Sequence, residues 1–348
     1  MFKKKVALFL AMTLLATSFI GCGKKSEGDK VSTTANKDAK KVGVFLYQFN
    51  DTYLSTVRNE LEKLDAADDT LEFSYFDAQD AQDKQNDALD SQLSKLDVFL
   101  VNLKDTGAAD QVLTKLKTTG KPVILFNREP DNIEAYKVYD KAKFVGTKIQ
   151  EAGVLQGELI ADYWTKSEGK ADRNGNGVLD YVLLHGGLDN AEAIARTKES
   201  IAAIEKKGIK VNKIAETIAL WQTDKASEAM DAWLSKDKDN IDIVVSNNDS
   251  MAMGAINALK KIDFNKDKKD YSKYIGVFGV DATEEAKAAI AEGSMVGTVK
   301  QDNVAMAKAL YDLAKNAAQG KDYLEGTAYK YDESGIAVRI PYQKYEGK

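Results

Sequence analysis

From residue 41 onward, short β-branched and aromatic runs alternate with longer segments of helical periodicity, and few folds accept that alternation. A strand, a helix and a second strand of the same kind make the unit from which parallel sheets are wound, with helices on both faces. Eleven runs read as strands, at 42–47, 71–76, 98–103, 122–127, 144–146, 180–185, 211–219, 241–247, 275–280, 297–300 and 337–340. Helical patterns fill the gaps at 53–64, 84–94, 109–118, 147–164, 191–207, 225–235, 250–261, 284–292 and 303–319. So many strands exceed one compact sheet, and roughly 300 residues exceed what one core organises, so the expected fold is α/β with two doubly wound parallel-sheet lobes.

The N-terminal end is of another kind. Lys3, Lys4 and Lys5 precede an apolar run over 6–20 that is too short to span a bilayer comfortably, so 1–21 reads as a secretory signal. Its last residues, Phe19, Ile20, Gly21 and Cys22, resemble the lipobox of bacterial lipoproteins. Cleavage there would leave Cys22 as a lipidated N-terminus holding an extracytoplasmic protein to the membrane; a soluble secreted protein with a chance cysteine is the alternative. Cys22 is the only cysteine, so no intramolecular disulfide can form. Losing the three lysines of the signal takes the net charge from −5 to −8, which argues against a nucleic-acid partner. The polar stretch over 22–40 lacks apolar periodicity and reads as a flexible tether.

Ligands of doubly wound sheets bind at the carboxyl ends of the strands. The polar residues there are Asp51, Asn102, Asn127, Arg128, Glu129, those of 190–196, Asn247, Asn248, Asp249, Asp281, Gln301, Asp302 and Asn303. Carboxylates, amides and arginine suit a neutral polyhydroxy ligand, because each sugar hydroxyl both donates and accepts. Asn and Asp at strand ends also serve as plain helix caps, and for any one of them the two readings compete.

Several blocks in order then resemble the bacterial sugar-binding proteins of ABC importers: VFLYQFND (44–51), KQND (84–87), NREP (127–130), MDAWLS (230–235), NNDSMAMGA (247–255) and VFGVDA (277–282). The resemblance implies a periplasmic binding protein fold of type I, a monomer whose lobes are joined by three chain crossings. These would lie near 121–123, 301–303 and 340–342, giving one lobe from 41–122 plus 303–339 and the other from 123–302 plus 340–348. It implies an aldohexose, galactose or glucose, held in the cleft and passed to a membrane permease; some family members also present their closed form to a chemotaxis receptor. Asp51 and Asn102 would bond sugar hydroxyls from the first lobe, and Arg196, Asn248 and Asp281 from the second. Trp221 would stack on one face of the ring, since a pyranose has apolar C–H faces and a polar edge. Four positions depart from the family pattern: Tyr53 stands for the opposing phenylalanine, Asn190 for a histidine, Glu192 for an aspartate and Gln301 for an asparagine.

The segment 172–180 spaces Asp172, Asn174 and Asn176 two apart around Gly175 and Gly177, as in the first half of a calcium loop. The second half does not match: Leu183 occupies the place of the closing glutamate, so another segment must supply that carboxylate. A turn whose Asn and Gly residues only provide left-handed backbone is the alternative. The resemblance implies a structural calcium site made by Asp172, Asn174, Asn176, the Val178 carbonyl and Asp180, closed by Asp242. These are all hard oxygens, which favours calcium over zinc. The acidic stretch 263–270 carries three lysines and no glycine and reads as a solvated connection.

An enzyme is the main competing class, since paired carboxylates around a sugar also describe a glycoside hydrolase. No nucleophile elbow, zinc-protease motif or phosphate loop is present, and His185, the only histidine, has no nucleophile beside it. The expectation is a binding protein without catalytic residues. A signal and tether occupy the place where related repressors carry a helix-turn-helix, so a transcription factor is not expected.

Overall fold

A computed structural model of the chain describes residues 38–130 and 132–347. Cys22, the signal and most of the tether lie outside the described residues. Twelve strands and nine α-helices follow one another: β1 Lys40–Leu46, α1 Thr52–Ala67, β2 Leu71–Asp77, α2 Gln82–Gln92, β3 Val98–Val101, α3 Ala109–Lys117, β4 Val123–Phe126, β5 Ala142–Gly146, α4 Ile149–Lys166, β6 Leu179–His185, α5 Ala191–Lys206, β7 Val211–Ile218, α6 Thr223–Asp237, β8 Ile243–Ser246, α7 Asp249–Lys261, β9 Gly276–Asp281, α8 Glu284–Glu292, β10 Gly297–Lys300, α9 Asn303–Ala318, β11 Ala337–Arg339 and β12 Gln343–Tyr345. They form two six-stranded sheets, ordered β11-β5-β4-β3-β1-β2 and β12-β10-β9-β8-β6-β7. Every pairing between these strands is parallel except β10 with β12.

The central strands explain the parallel choice. β3 (VFLV), β4 (VILF) and β8 (IVVS) are buried at every position, as strands covered by helices on both faces must be. In the first lobe, α1 and α9 close one face, with Leu54, Val57, Leu61, Leu310 and Leu313 packed on Val44 and Ile124. The opposite face carries α2 and α3 over Phe99 and Leu125. The second lobe repeats this plan, with α6, α7 and α8 on one face and α4 and α5 on the other. Helices α4 and α5 come so close that a Cβ on Gly157 would run into the Ser200 carbonyl.

The chain crosses between the sheets at 147–148, 301–302 and 340–342. The first crossing differs from the expectation of 121–123. β4 and β5 belong to the first sheet, where Phe99 pairs with Val123 and Leu125 with Phe144, so that lobe runs on to Gly146 before the chain leaves it. A crossing and an ordinary strand-to-strand connection both look like a short polar turn in sequence, so local pattern does not separate the two. β12 is a further difference: an antiparallel edge strand with mostly exposed side chains, it carries no apolar signature.

Candidate functional site

The carboxyl ends of both sheets face one another across a small cavity. The first lobe lines it with Tyr47, Asp51, Tyr53, Asn127 and Arg128, and the second with Asn190, Glu192, Arg196, Trp221, Asn248, Asp281 and Gln301. Nine of the ten expected ligand residues are therefore brought together. Asn102 is not. It is fully buried behind the wall, where its Nδ2 donates to the Phe126 carbonyl and to Asn127 Oδ1, both at 3.1 Å. Asn127 reaches the cavity in its place, together with Tyr47 and Arg128, whose guanidinium lies over the Tyr47 ring at 3.8 Å. Asn127 and Arg128 stood among the strand-end polar residues; Tyr47, inside an apolar run, gave no signal.

Capping and ligand-facing roles prove to be shared by the same side chains. Asp51, Asn190 and Asn248 cap α1, α5 and α7, accepting from Leu54, Ala193 and Met251 N–H at 2.8, 2.9 and 3.0 Å. Each cap uses one oxygen. Asp51 has a second, which accepts from the Tyr47 hydroxyl at 2.5 Å, while Asn190 and Asn248 keep an amide nitrogen with no protein partner among the described residues. Three cavity residues, Asn127, Trp221 and Asp281, hold left-handed backbone at φ of 61°, 64° and 123°. Strain of this kind in non-glycine residues concentrates at functional sites. Trp221 is seated against bare backbone, since a Cβ on Gly186 would overlap its ring.

Arg196 organises the second wall. Nη1 donates to the Asn247 carbonyl at 2.8 Å, and Nη2 to Gln301 Oε1 at 2.9 Å and the Tyr342 hydroxyl at 3.1 Å; Asp281 lies 3.8 Å away. Burial opposes its charge, but Tyr342, Asp281 and Glu192 outweigh that and hold the guanidinium protonated. Burial also pushes the Glu192 and Asp281 carboxyls upward, with Arg196 pulling each back. Around the cavity, four buried polar atoms have no partner among the described residues: Tyr53 OH, Glu192 Oε1, Arg196 Nε and Gln301 Nε2. Leaving such an atom unpaired costs about 1–3 kcal/mol, so the cavity is built for a polar occupant.

The 172–180 loop is drawn together by its own polar groups. Asp172 accepts from the N–H groups of Gly175, Asn176 and Gly177, and the Asn174 and Asn176 amides both reach Asp180 Oδ2 at 2.8 Å. Asp242 sits against the same loop: its two oxygens accept from Arg173 N–H at 2.8 Å and Asp180 N–H at 2.9 Å, fastening the loop backbone from outside as Asp172 does from within. Among the described residues no three carboxylate, imidazole or thiolate groups gather closely enough to hold a metal, and any cation here would depend on amide and carbonyl oxygens as well. In the 263–270 connection, Asn265 bonds the backbone of Ile275 and Ser294, a structural turn. His185 is likewise structural, its Nδ1 accepting from Gly187 N–H at 3.0 Å.

Residues 42–322 match the model of the periplasmic binding protein domain. A D-galactose/methyl-galactoside binding periplasmic protein of Haemophilus influenzae is 37% identical over 304 residues, spanning 87% of this chain and 88% of that protein. Among solved structures, a solute-binding protein of an ABC transporter from Bacillus halodurans with bound myo-inositol superposes with a TM-score of 0.72 at 26% identity, covering 90% of this chain and 96% of that one. A Mycobacterium smegmatis protein in complex with β-D-fucofuranose has the same TM-score at 23% identity over 89% and 92% of the two chains, a likeness of fold.

Proposed function

The chain belongs to the periplasmic binding protein family, and we propose that it takes a monosaccharide, galactose or glucose, between its lobes outside the cytoplasm and delivers it to an ABC permease. The reading rests above all on the unpaired buried atoms around one small cavity. Tyr53 OH and Gln301 Nε2 offer donors and Glu192 Oε1 an acceptor, a mixture that hydroxyl groups satisfy in both directions. Trp221 supplies a flat face for the C–H side of a pyranose, and Arg196 and Asp281 a charged edge for its hydroxyls. The relatives matched are binding proteins, which agrees with a site that holds its ligand without converting it.

Closure requires the lobes to meet, and Ser250 Oγ on α7 donates to Thr52 Oγ1 on α1 at 2.7 Å across the cleft. Sugar bound to both walls would hold this closed form, the one a permease recognises. The four departures from the family pattern, Tyr53, Asn190, Glu192 and Gln301, all line the cavity and would decide which epimer is preferred. Titration calorimetry against galactose, glucose, ribose, xylose, arabinose and myo-inositol tests the assignment. Binding of galactose or glucose at least tenfold tighter than the pentoses and inositol is expected; preference for inositol or a pentose would overturn the hexose reading.

Two accessory features complete the proposal. Lipidated Cys22 would tether the protein to the membrane, and Cys22→Ser should release it from washed membranes. Calcium would be held by side-chain oxygens of Asp172, Asn174, Asn176, Asp180 and Asp242 with the Val178 carbonyl, supported by the convergence of the asparagine amides on Asp180 and the closeness of Asp242 to the loop. Bound calcium would neutralise Asp172 and Asp180 and stiffen the loop. A chelator should lower the melting temperature with little change in sugar affinity; an unchanged melting temperature would remove the metal from the account.

A further inference from the structure

The three crossings are joined through one hydroxyl and one guanidinium group. Tyr342, on the third crossing, is buried, and its OH accepts from Thr147 Oγ1 at 3.2 Å and from Arg196 Nη2 at 3.1 Å. Thr147 lies on the first crossing. The same Arg196 Nη2 donates to Gln301 Oε1 at 2.9 Å, and Gln301 lies on the second. One guanidinium group that lines the cavity is thus bonded directly to two of the hinge segments and, through Tyr342, to the third. The first and third crossings are also tied to neighbouring strand ends without it: Ile340 N–H donates to the Gly146 carbonyl of β5 at 2.7 Å and Arg339 Nη1 of β11 to the Thr147 carbonyl at 2.8 Å.

We propose that Tyr342 is a positioning residue that couples ligand contact at Arg196 to the hinge, its hydroxyl tying the first and third crossings to the arginine that faces the sugar. Lobe opening changes backbone torsions at a few hinge residues, and a change in any one crossing alters the distance between Thr147, Gln301 and Tyr342. The trio of bonds can be complete only in a narrow range of hinge angles. Arg196 is therefore aimed at the cavity only when the lobes are near closure, and a ligand that engages Arg196 favours that same range. A hydrogen bond to a charged group is stronger than one between neutral groups, which makes the guanidinium the dominant member.

The inference rests on the sugar-binding reading above, and the test keeps the two apart. Tyr342→Phe keeps the ring and removes the hydroxyl. Thr147→Val removes the bond from the first crossing while touching neither Arg196 nor the cavity. Both variants and the parent are titrated with D-galactose, or with whichever sugar of the panel the parent binds best, and their radius of gyration is measured by X-ray scattering with and without that sugar. Tyr342→Phe should weaken binding about 10-fold, and Thr147→Val about 3-fold, with sugar-saturated particles of both variants less compact than the parent. Unchanged affinity and compaction in Thr147→Val, beside weakened binding in Tyr342→Phe, would reduce Tyr342 to a prop for Arg196 and overturn the coupling, as would parental behaviour of both. A parent that binds no sugar of the panel refutes the sugar reading instead; the coupling is then judged on the sugar-free particles, which should be more open in both variants than in the parent.

Discussion

Replacing Asn102 by alanine separates a brace from a ligand contact. Its side chain makes two bonds of ordinary length, to the Phe126 carbonyl and to Asn127 Oδ1, and a longer one from Tyr47 N–H at 3.4 Å. The backbone bonds of residue 102 survive the change, because its N–H donates to Phe45 and its carbonyl accepts from Gln85. The Phe126 carbonyl also keeps a partner in Arg128 N–H, whereas the buried Tyr47 N–H loses its side-chain acceptor. Two bonds at about 1 kcal/mol each and the loss at Tyr47 give a destabilisation of about 2–4 kcal/mol. Urea unfolding without sugar measures it, and calorimetry on the same sample should show affinity falling less than 10-fold, through the loosened Asn127. An unchanged urea midpoint together with a 100-fold loss of affinity would refute the reasoning and restore Asn102 to the ligand contacts.

Tyr53→Phe removes a buried hydroxyl that has no protein partner, so the sugar-free protein should be as stable as the parent or more so, while affinity drops roughly 2- to 10-fold; equal affinity would show that the hydroxyl does not meet the ligand. Gly186→Ala places a methyl where the Trp221 ring lies, which should cost about 1–3 kcal/mol in urea unfolding and weaken sugar binding more than 10-fold, with a shifted tryptophan emission. Parental affinity in that variant would disprove stacking on Trp221. Burial pushes the Asp242 carboxyl up to about 6, against the opposing hydrogen bonds from Arg173 and Asp180. The folded chain then keeps a proton that the unfolded chain releases near pH 4, so this group makes stability fall as pH rises from about 4 to about 6. Urea midpoints across that window, taken with chelator present, should fall less steeply in Asp242→Asn than in the parent; identical slopes would contradict the assignment.

The two sheets were legible because nearly every strand is an apolar run bounded by turns and every helix has an apolar face, so that local pattern and burial coincide from β1 to α9. What escaped was information carried by partners distant in the chain. Whether Val123–Phe126 pairs with β3 or starts a new sheet depends on which edge it meets, and its four buried residues would read the same in either place. Tyr345 pairs with Thr298 at a sheet edge where backbone bonds do the holding and side chains carry no pattern. In the site, Asp51, Asn190 and Asn248 were visible as strand-end polar residues, yet caps and ligand contacts could not be told apart, since one side chain does both. Asn102 shows the converse: its type and position suited a sugar contact, and only the course of β4 beside it decides that its amide is spent on Phe126 and Asn127.

The order in which the chain visits its lobes has a consequence for assembly. Once residue 300 has been synthesised, the second lobe holds all five of its parallel strands and its five helices, lacking only the edge strand β12. The first lobe at that moment has every strand but β11, and only α1 over the face formed by Val42, Val44 and Ile124, because α9 supplies Met306, Ala307, Leu310 and Leu313 to that core. Contacts between segments so far apart in sequence form slowly, and uncovered apolar surface is what drives incomplete chains to aggregate. The lobe that begins the chain thus has its core covered late, and a nascent molecule has two packed walls to its cleft only when α9 docks.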